Sequence, residues 1–287
     1  MTEDQIISVV NMCQVHPFRD VRRFDEIDST NRWLREAGAS GDAAHGTVAI
    51  TDLQVAGRGR LDRQWIAPAK SALLMSVLVD SALIGLPVDR WPMVSFCMAF
   101  AVQNAANDCC GNRRPVTLKW PNDVIVLGEL KPGSQLAGYR KMAGILVEAS
   151  SGRLIVGAGV NLVRPENIDA SLGVSASPIW LDELTELAEL TELTELTEST
   201  VDRDAFAEQV LGSFSIALDA LVRSPDELIE QYRSVLSTIG WVVQIESGGT
   251  TWVGEATGVD AYGRLVVVND DGTHHVDASE VIHLRPI

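Results

Sequence analysis

Residues 51–65, TDLQVAGRGRLDRQW, hold the densest grouping of residues suited to chemistry. Gly57 and Gly59 alternate with Arg58 and Arg60, and Arg63 follows. Glycine permits positive φ and lets the backbone approach a ligand closely. Arginine brings a permanent charge and a planar fork of donors that matches carboxylates and phosphates. Such a stretch suits an anion. A basic surface turn or a nucleic-acid contact would use the same residues, so the loop alone does not choose between them.

Other polar residues recur where elements end. Lys119, Asn122, Asp123, Lys141 and Asn161 are expected at the ends of short β-rich runs, where a sheet presents groups to a ligand lying across it. Ser29, Thr30 and Asn31 precede a helical pattern. They could cap that helix, or their side chains and the helix N-terminal amides could bind a small polar group. His274 and His275 are neighbours in a strand-like run and point to opposite faces, which argues against a shared metal. Cys13, Cys97, Cys109 and Cys110 include no CxxC spacing, and read as small apolar fillers in a reducing compartment.

The elements that must position these groups follow from periodicity. Phe24 and Ile27 suggest a strand ending at Asp28, then a helix with Trp33 and Leu34 on its buried side. Residues 46–51 and 71–80 read as apolar strands, and 91–107 as a core helix ending before Cys109. Residues 116–120 and 124–127 are strands about a Pro121-Asn122-Asp123 turn. Residues 141–149 and 154–162 form a further hairpin around Ser150-Ser151-Gly152. Residues 181–200 repeat Glu-Leu-Thr with period three. They are expected to be an acidic insert, helical or disordered, without catalytic groups, whose deletion leaves chemistry intact. Two helices follow, over 201–223 and from 224 to about 236. From 239 the texture changes to four short strands on tight turns, a small barrel-like unit.

Charge narrows the function. The formal net charge is −16 across 287 residues, so a general nucleic-acid binder is disfavoured. The arginines of 58–63 are a local exception. No signal peptide opens the chain, and the apolar stretch at 91–106 is broken by Gln103 and Asn104. A cytoplasmic protein with no membrane partner is expected.

Taken together, the motifs resemble the biotin–protein ligase family. They are Ser29-Thr30-Asn31, Gln54 with Gly57-Arg58-Gly59-Arg60 and Trp65, Lys119-Trp120-Pro121-Asn122-Asp123, Lys141 with Ala143-Gly144-Ile145-Leu146, and Gly159-Val160-Asn161-Leu162. They stand in the family's order over roughly residues 22–163. The resemblance implies an α+β fold: a mixed, largely antiparallel sheet with packed helices, of the class II synthetase-like kind, over 1–236. An SH3-like β domain would follow over 237–287. It implies an enzyme that activates biotin with MgATP and transfers it to a lysine of a carboxylase's biotin carboxyl carrier domain, acting as a monomer or weak homodimer without DNA. Too little chain precedes Ser29 for a helix-turn-helix domain, so the ligase-only type is expected.

By the same resemblance, Ser29, Thr30, Asn31, Gln54, Arg58, Gly59, Arg60 and Lys141 bind biotin. Arg60, Arg63, Trp65, Lys119, Asn122 and Asn161 hold nucleotide. Arg58, Lys141 and Asp123 are the catalytic set, with Asp123 holding magnesium or activating the acceptor lysine. The chemistry fits, because two anions must be brought together and cations offset their repulsion. Residues 129–140 lengthen the connection before Lys141 and contain a near copy of its motif. Lys141 is preferred to Lys131 because it alone runs into Gly144-Ile145-Leu146-Val147-Glu148. A lipoate or octanoate ligase or transferase of the same fold is the alternative, and a nucleic-acid-binding regulator a weaker one.

Overall fold

The computed structural model describes residues 17–61, 63–111, 116–130, 137–166, 177–189, 201–247, 249–278 and 281–286. Strand β1 (Asp20–Ile27) leads through helix α1 (Thr30–Ser40) to β2 (Thr47–Gln54), which pairs with it in parallel. Every later pairing is antiparallel: β3 (Ala72–Asp80), β4 (Val116–Lys119), β5 (Asp123–Leu130), β6 (Ala137–Ser150) and β7 (Arg153–Asn161). The sheet order is β1-β2-β3-β7-β6-β5-β4. The β6–β7 hairpin turns through Ser151 (φ 50°) and Gly152 (φ 78°).

One face of this sheet carries the main core. Val48, Ile50, Met75, Val77, Val156 and Val160 pack there against α2 (Val94–Cys110) and α4 (Arg203–Arg223). Helix α2 follows a 3-10 turn at Val88–Met93 and runs through Cys109 and Cys110 to Gly111 (φ 61°). It is therefore longer than its sequence pattern predicts, because Cys110 is apolar enough to bury. Cys97 is also buried and Cys109 is exposed, so that one is no filler. Burial pushes the Cys97 and Cys110 thiols up, which leaves them poor nucleophiles.

Helix α4 is capped by Asp202: its carboxylate accepts from the backbone N–H groups of Asp204 and Ala205. Among the described residues it is the one helix long and apolar enough to cross a membrane. Its apolar face, with Phe206, Val210, Phe214 and Leu221, is buried in the core, and this accounts for the composition.

The Glu-Leu-Thr run begins as helix α3 (Leu181–Glu189). Leu181 and Leu184 are buried in the main core, and Glu183 accepts from Arg140 at 3.0 Å through both carboxylate oxygens. The first half of the run is thus part of the fold, and its removal would open a cavity. Residues 190–200 lie outside the described residues.

After α5 (Pro225–Ser234), a second sheet contains five strands, not four: β8 (Val242–Ser247), β9 (Thr250–Val259), β10 (Leu265–Asn269), β11 (Gly272–Val276) and β12 (Val281–Pro286), in the order β11-β10-β9-β8-β12. Val243, Ile245 and Val267 join the main core, and Trp120 donates its indole N–H to the Gly263 carbonyl at 3.0 Å. His274 and His275 do turn opposite ways, toward Asn269 and Asp260.

Candidate active site

The other face of the large sheet is built differently. Cross-strand partners share a face. Lys119, Asp123, Gly144, Gly159, Leu74 and Thr51 make one continuous row. The next row is Leu146, Gly157, Ser76 and Ala49. Three glycines therefore form a bare floor, and the groups above it sit where Cβ atoms would stand. A Cβ at Gly159 would lie 2.5 Å from the Trp65 ring, and one at Gly157 would lie 2.3 Å from Asn31 Oδ1. Helix α1 covers one end through Leu34 and Ala37, and the glycine–arginine loop covers the other.

Lys141 lies inside β6, not at a strand end. The pairing with β5 passes from Val124–Ala143 directly to Ile125–Lys141, so Met142 is bulged. In a regular strand, residues 141 and 144 face opposite ways. The bulge cancels that alternation. Met142 is buried, while Lys141 Nζ lies 2.5 Å from Asp123 Oδ1, and a Cβ at Gly144 would be 3.2 Å from it. Lys119 Nζ approaches Asp123 Oδ2 at 3.5 Å. Burial pushes the Asp123 carboxyl up, but Lys141 and then Lys119 outweigh burial and hold it below its ordinary value. Asp123 is thus an ionised clamp for two ammonium groups. Lys131 lies outside the described residues.

The loop folds on itself. Gly59 N–H donates to the Arg63 carbonyl at 2.6 Å, and Trp65 N–H to the Gly57 carbonyl at 3.0 Å. Positive φ falls on Leu61 (55°), not on the two glycines. Gly57 is needed for close approach instead, since a Cβ there would meet the Trp65 carbonyl oxygen at 2.4 Å. Trp65 rests on Gly144 and Gly159 with Lys141 Nζ 5.7 Å from its ring centroid. Its buried indole N–H has no hydrogen-bond partner among the described residues, a donor left for an incoming acceptor.

Ser29 occupies the N-cap position of α1, yet its side chain makes no capping bond. Thr30 and Asn31 do not cap either. Gln54 Oε1 accepts from the Thr30 backbone N–H at 2.8 Å, closing the helix end from β2. Thr30 Oγ1 lies 2.6 Å from Ser76 Oγ, Ser76 donates to Asn31 Oδ1 at 2.6 Å, and Asn31 Nδ2 donates to Glu148 at 2.8 Å. Arg58 Nη2 reaches both Glu148 oxygens at 2.8 Å. Ser76 and Glu148 are site residues that motif reasoning missed. A single buried serine inside the apolar run of β3 was the available signal.

Arg60 joins the site from the side of the C-terminal sheet. It donates to Asn122 Oδ1 at 3.4 Å and to the Ala278 carbonyl of the C-terminal sheet, and burial lowers its pKa from the usual value. Asn122 also brackets Ile145, donating to its carbonyl at 2.7 Å and accepting from its N–H at 2.9 Å. Asn161 gives its amide hydrogens to the carbonyls of Lys141 and Ile179, so it fixes the backbone that carries Lys141. The fold thus gathers Arg58, Arg60, Trp65, Lys119, Asn122, Asp123 and Lys141 on one face. Arg63 sits in the same loop, and Gly59 shapes it.

Residues 24–162 match the model of the biotin/lipoate A/B protein ligase family, and residues 238–284 match that of the biotin protein ligase C-terminal domain. A biotin–[acetyl-CoA-carboxylase] ligase of Mycobacterium tuberculosis is 31% identical over 90% of this chain and 86% of its own length. The chain belongs to the biotin protein ligase family. The bifunctional ligase/repressor BirA of Bacillus subtilis is 24% identical over 90% of this chain and 72% of its own. A biotin protein ligase from Aquifex aeolicus, solved in complex with biotin and ATP, shares the fold. Its TM-score is 0.75 at 24% identity, covering 94% of this chain and all of that one. The C-terminal match favours the biotin branch over the lipoate branch that shares the larger family model.

Proposed function

We propose that the biotin carboxylate attacks the α-phosphate of ATP on the glycine floor, forming biotinoyl-5′-AMP and releasing pyrophosphate. The amine of a carrier-domain lysine then attacks the acyl carbon and expels AMP. The observation that carries this reading is the convergence of Lys141, Lys119 and Arg58 on a face stripped of side chains by Gly144, Gly157 and Gly159. Two anions repel as they meet, and fixed cations already in place stabilise the charge of the transition state. Lys141 is best placed for this, because Asp123 holds its ammonium at one position.

Asp123 fits a metal poorly. Both its oxygens face ammonium groups, so a metal would have to displace a lysine. Magnesium is placed here with the ATP phosphates, as MgATP. The depressed pKa also makes Asp123 a weak base, so it serves to position the lysines rather than to deprotonate the acceptor. Arg60, Asn122 and Trp65 are assigned to nucleotide, and Thr30, Asn31, Gln54 and Arg58 to biotin. The acidic charge of −16 supports a cytoplasmic enzyme that works without DNA. Labelled biotin and lipoate, offered separately with MgATP and a carrier domain, test the reading. Biotin should label the carrier and lipoate should not; equal labelling by lipoate would move the chain to the other branch.

A further inference from the structure

We propose that Glu148 is a positioning residue for adenylation, holding Arg58 by one nitrogen so that its remaining N–H groups meet substrate in a fixed place. This rests on the ligase reading above. Glu148 accepts from Arg58 Nη2 through both oxygens at 2.8 Å and from Asn31 Nδ2 at 2.8 Å, and Arg35 Nη1 lies 3.5 Å away. One carboxylate on β6 therefore ties the glycine–arginine loop to the start of α1.

The hydrogen-bond polarity is set by that carboxylate. An ionised carboxylate only accepts. Asn31 must give it Nδ2, which turns Asn31 Oδ1 to the Ser76 hydroxyl. Ser76 gives its one hydrogen there and so accepts from Thr30 Oγ1, whose single hydrogen then goes to Ser76 rather than to Gln54 Oε1 3.1 Å away. Gln54 Oε1 is occupied by the Thr30 backbone N–H, so Gln54 Nε2 is the end that remains for a ligand. Arg58 meets Glu148 through Nη2, so the hydrogens on its Nη1 and Nε are not spent on that contact and can each donate to an anion. Arg58 is still 39% exposed, so a ligand can reach it without breaking the Glu148 contact.

Single-turnover adenylate formation by Glu148→Gln and Glu148→Asp tests the assignment, with melting curves to confirm folding. Gln keeps the shape and removes the charge. Asp keeps the charge and draws the oxygens back by one methylene. Both should lower the rate by roughly ten- to a hundredfold, as misplacement of a substrate-gripping group does. In an Arg58→Ala background, Glu148→Gln should change the rate by less than about twofold, since its effect passes through Arg58. A wild-type rate in either folded variant, or the same loss with Arg58 absent, overturns the proposal. If wild-type protein makes no biotinoyl-AMP, the ligase reading fails. If wild type makes it and the Glu148 variants match it, Glu148's role alone fails.

Discussion

The two faces of the seven-stranded sheet are made by the same strands and obey different rules. One face is filled: Met75, Val77, Val156 and Val160 meet two helices, and nothing polar is asked of them. The other is emptied: Gly144, Gly157 and Gly159 stand where neighbouring strands carry side chains, and charged groups from elsewhere hang over them. Burial of large side chains gives stability on the first face. Absence of side chains gives room for chemistry on the second. The comparison shows stability and function divided by strand alternation, so a substitution's effect depends on the parity of its position.

Substitutions on the two faces should therefore fail in different ways. Phe214 is fully buried and stacks on Phe18 at 5.5 Å, so Phe214→Ala should cost about 3–5 kcal/mol of stability. Urea unfolding would register that loss, while adenylation per folded molecule stays near wild type. Gly159→Ala should do the opposite. Its new Cβ would sit 2.5 Å from the Trp65 ring, which must slide off the floor. Melting should barely change, and adenylation should fall by roughly ten- to a hundredfold from the displaced ring. Normal activity in the Gly159→Ala variant would mean that the ring's seat is not part of the site.

Asp123→Asn gives a loss of stability with a pH signature. The Asp123 carboxyl lies below its ordinary value of 3.8 in the fold. Its contribution to stability is thus present above that value and lost as pH falls through the lower, folded one. The Asn variant should melt below wild type near neutral pH, and the gap should close under acid conditions below about 4. A gap that stays constant to low pH would show that the loss is packing and not charge.

Much of this division was legible in the sequence, and the gaps have physical reasons. The apolar strands at 46–51 and 71–80 were legible as runs, but a run buried on both sides, as in β3, does not say which face is filled. The glycines were visible, but their use was not. Gly57 reads as a residue for positive φ or for close approach to a ligand, whereas the close approach it serves is to the loop's own Trp65 backbone. Lys141 was found by motif and misplaced at a strand end, because a bulge at Met142 leaves no trace in periodicity. Thr30 and Asn31 read as helix caps or as ligand-binding groups, and their bonds to the long-range partners Ser76 and Glu148 were not legible locally. The simple repeat at 181–189 hid two leucines in the core because low complexity masked their contact with α2. Contacts that span the fold are not written in local sequence.

The central claim is that the emptied face adenylates biotin through a lysine clamped by Asp123. Single-turnover formation of biotinoyl-AMP from biotin and MgATP, followed by mass spectrometry in wild type and Lys141→Ala, tests it most directly. Wild type should form the adenylate, and Lys141→Ala should form it about 10²–10³-fold more slowly while melting almost as wild type does, the loss expected for a fixed transition-state charge. Adenylate at the wild-type rate from folded Lys141→Ala, or none from folded wild type, would contradict it.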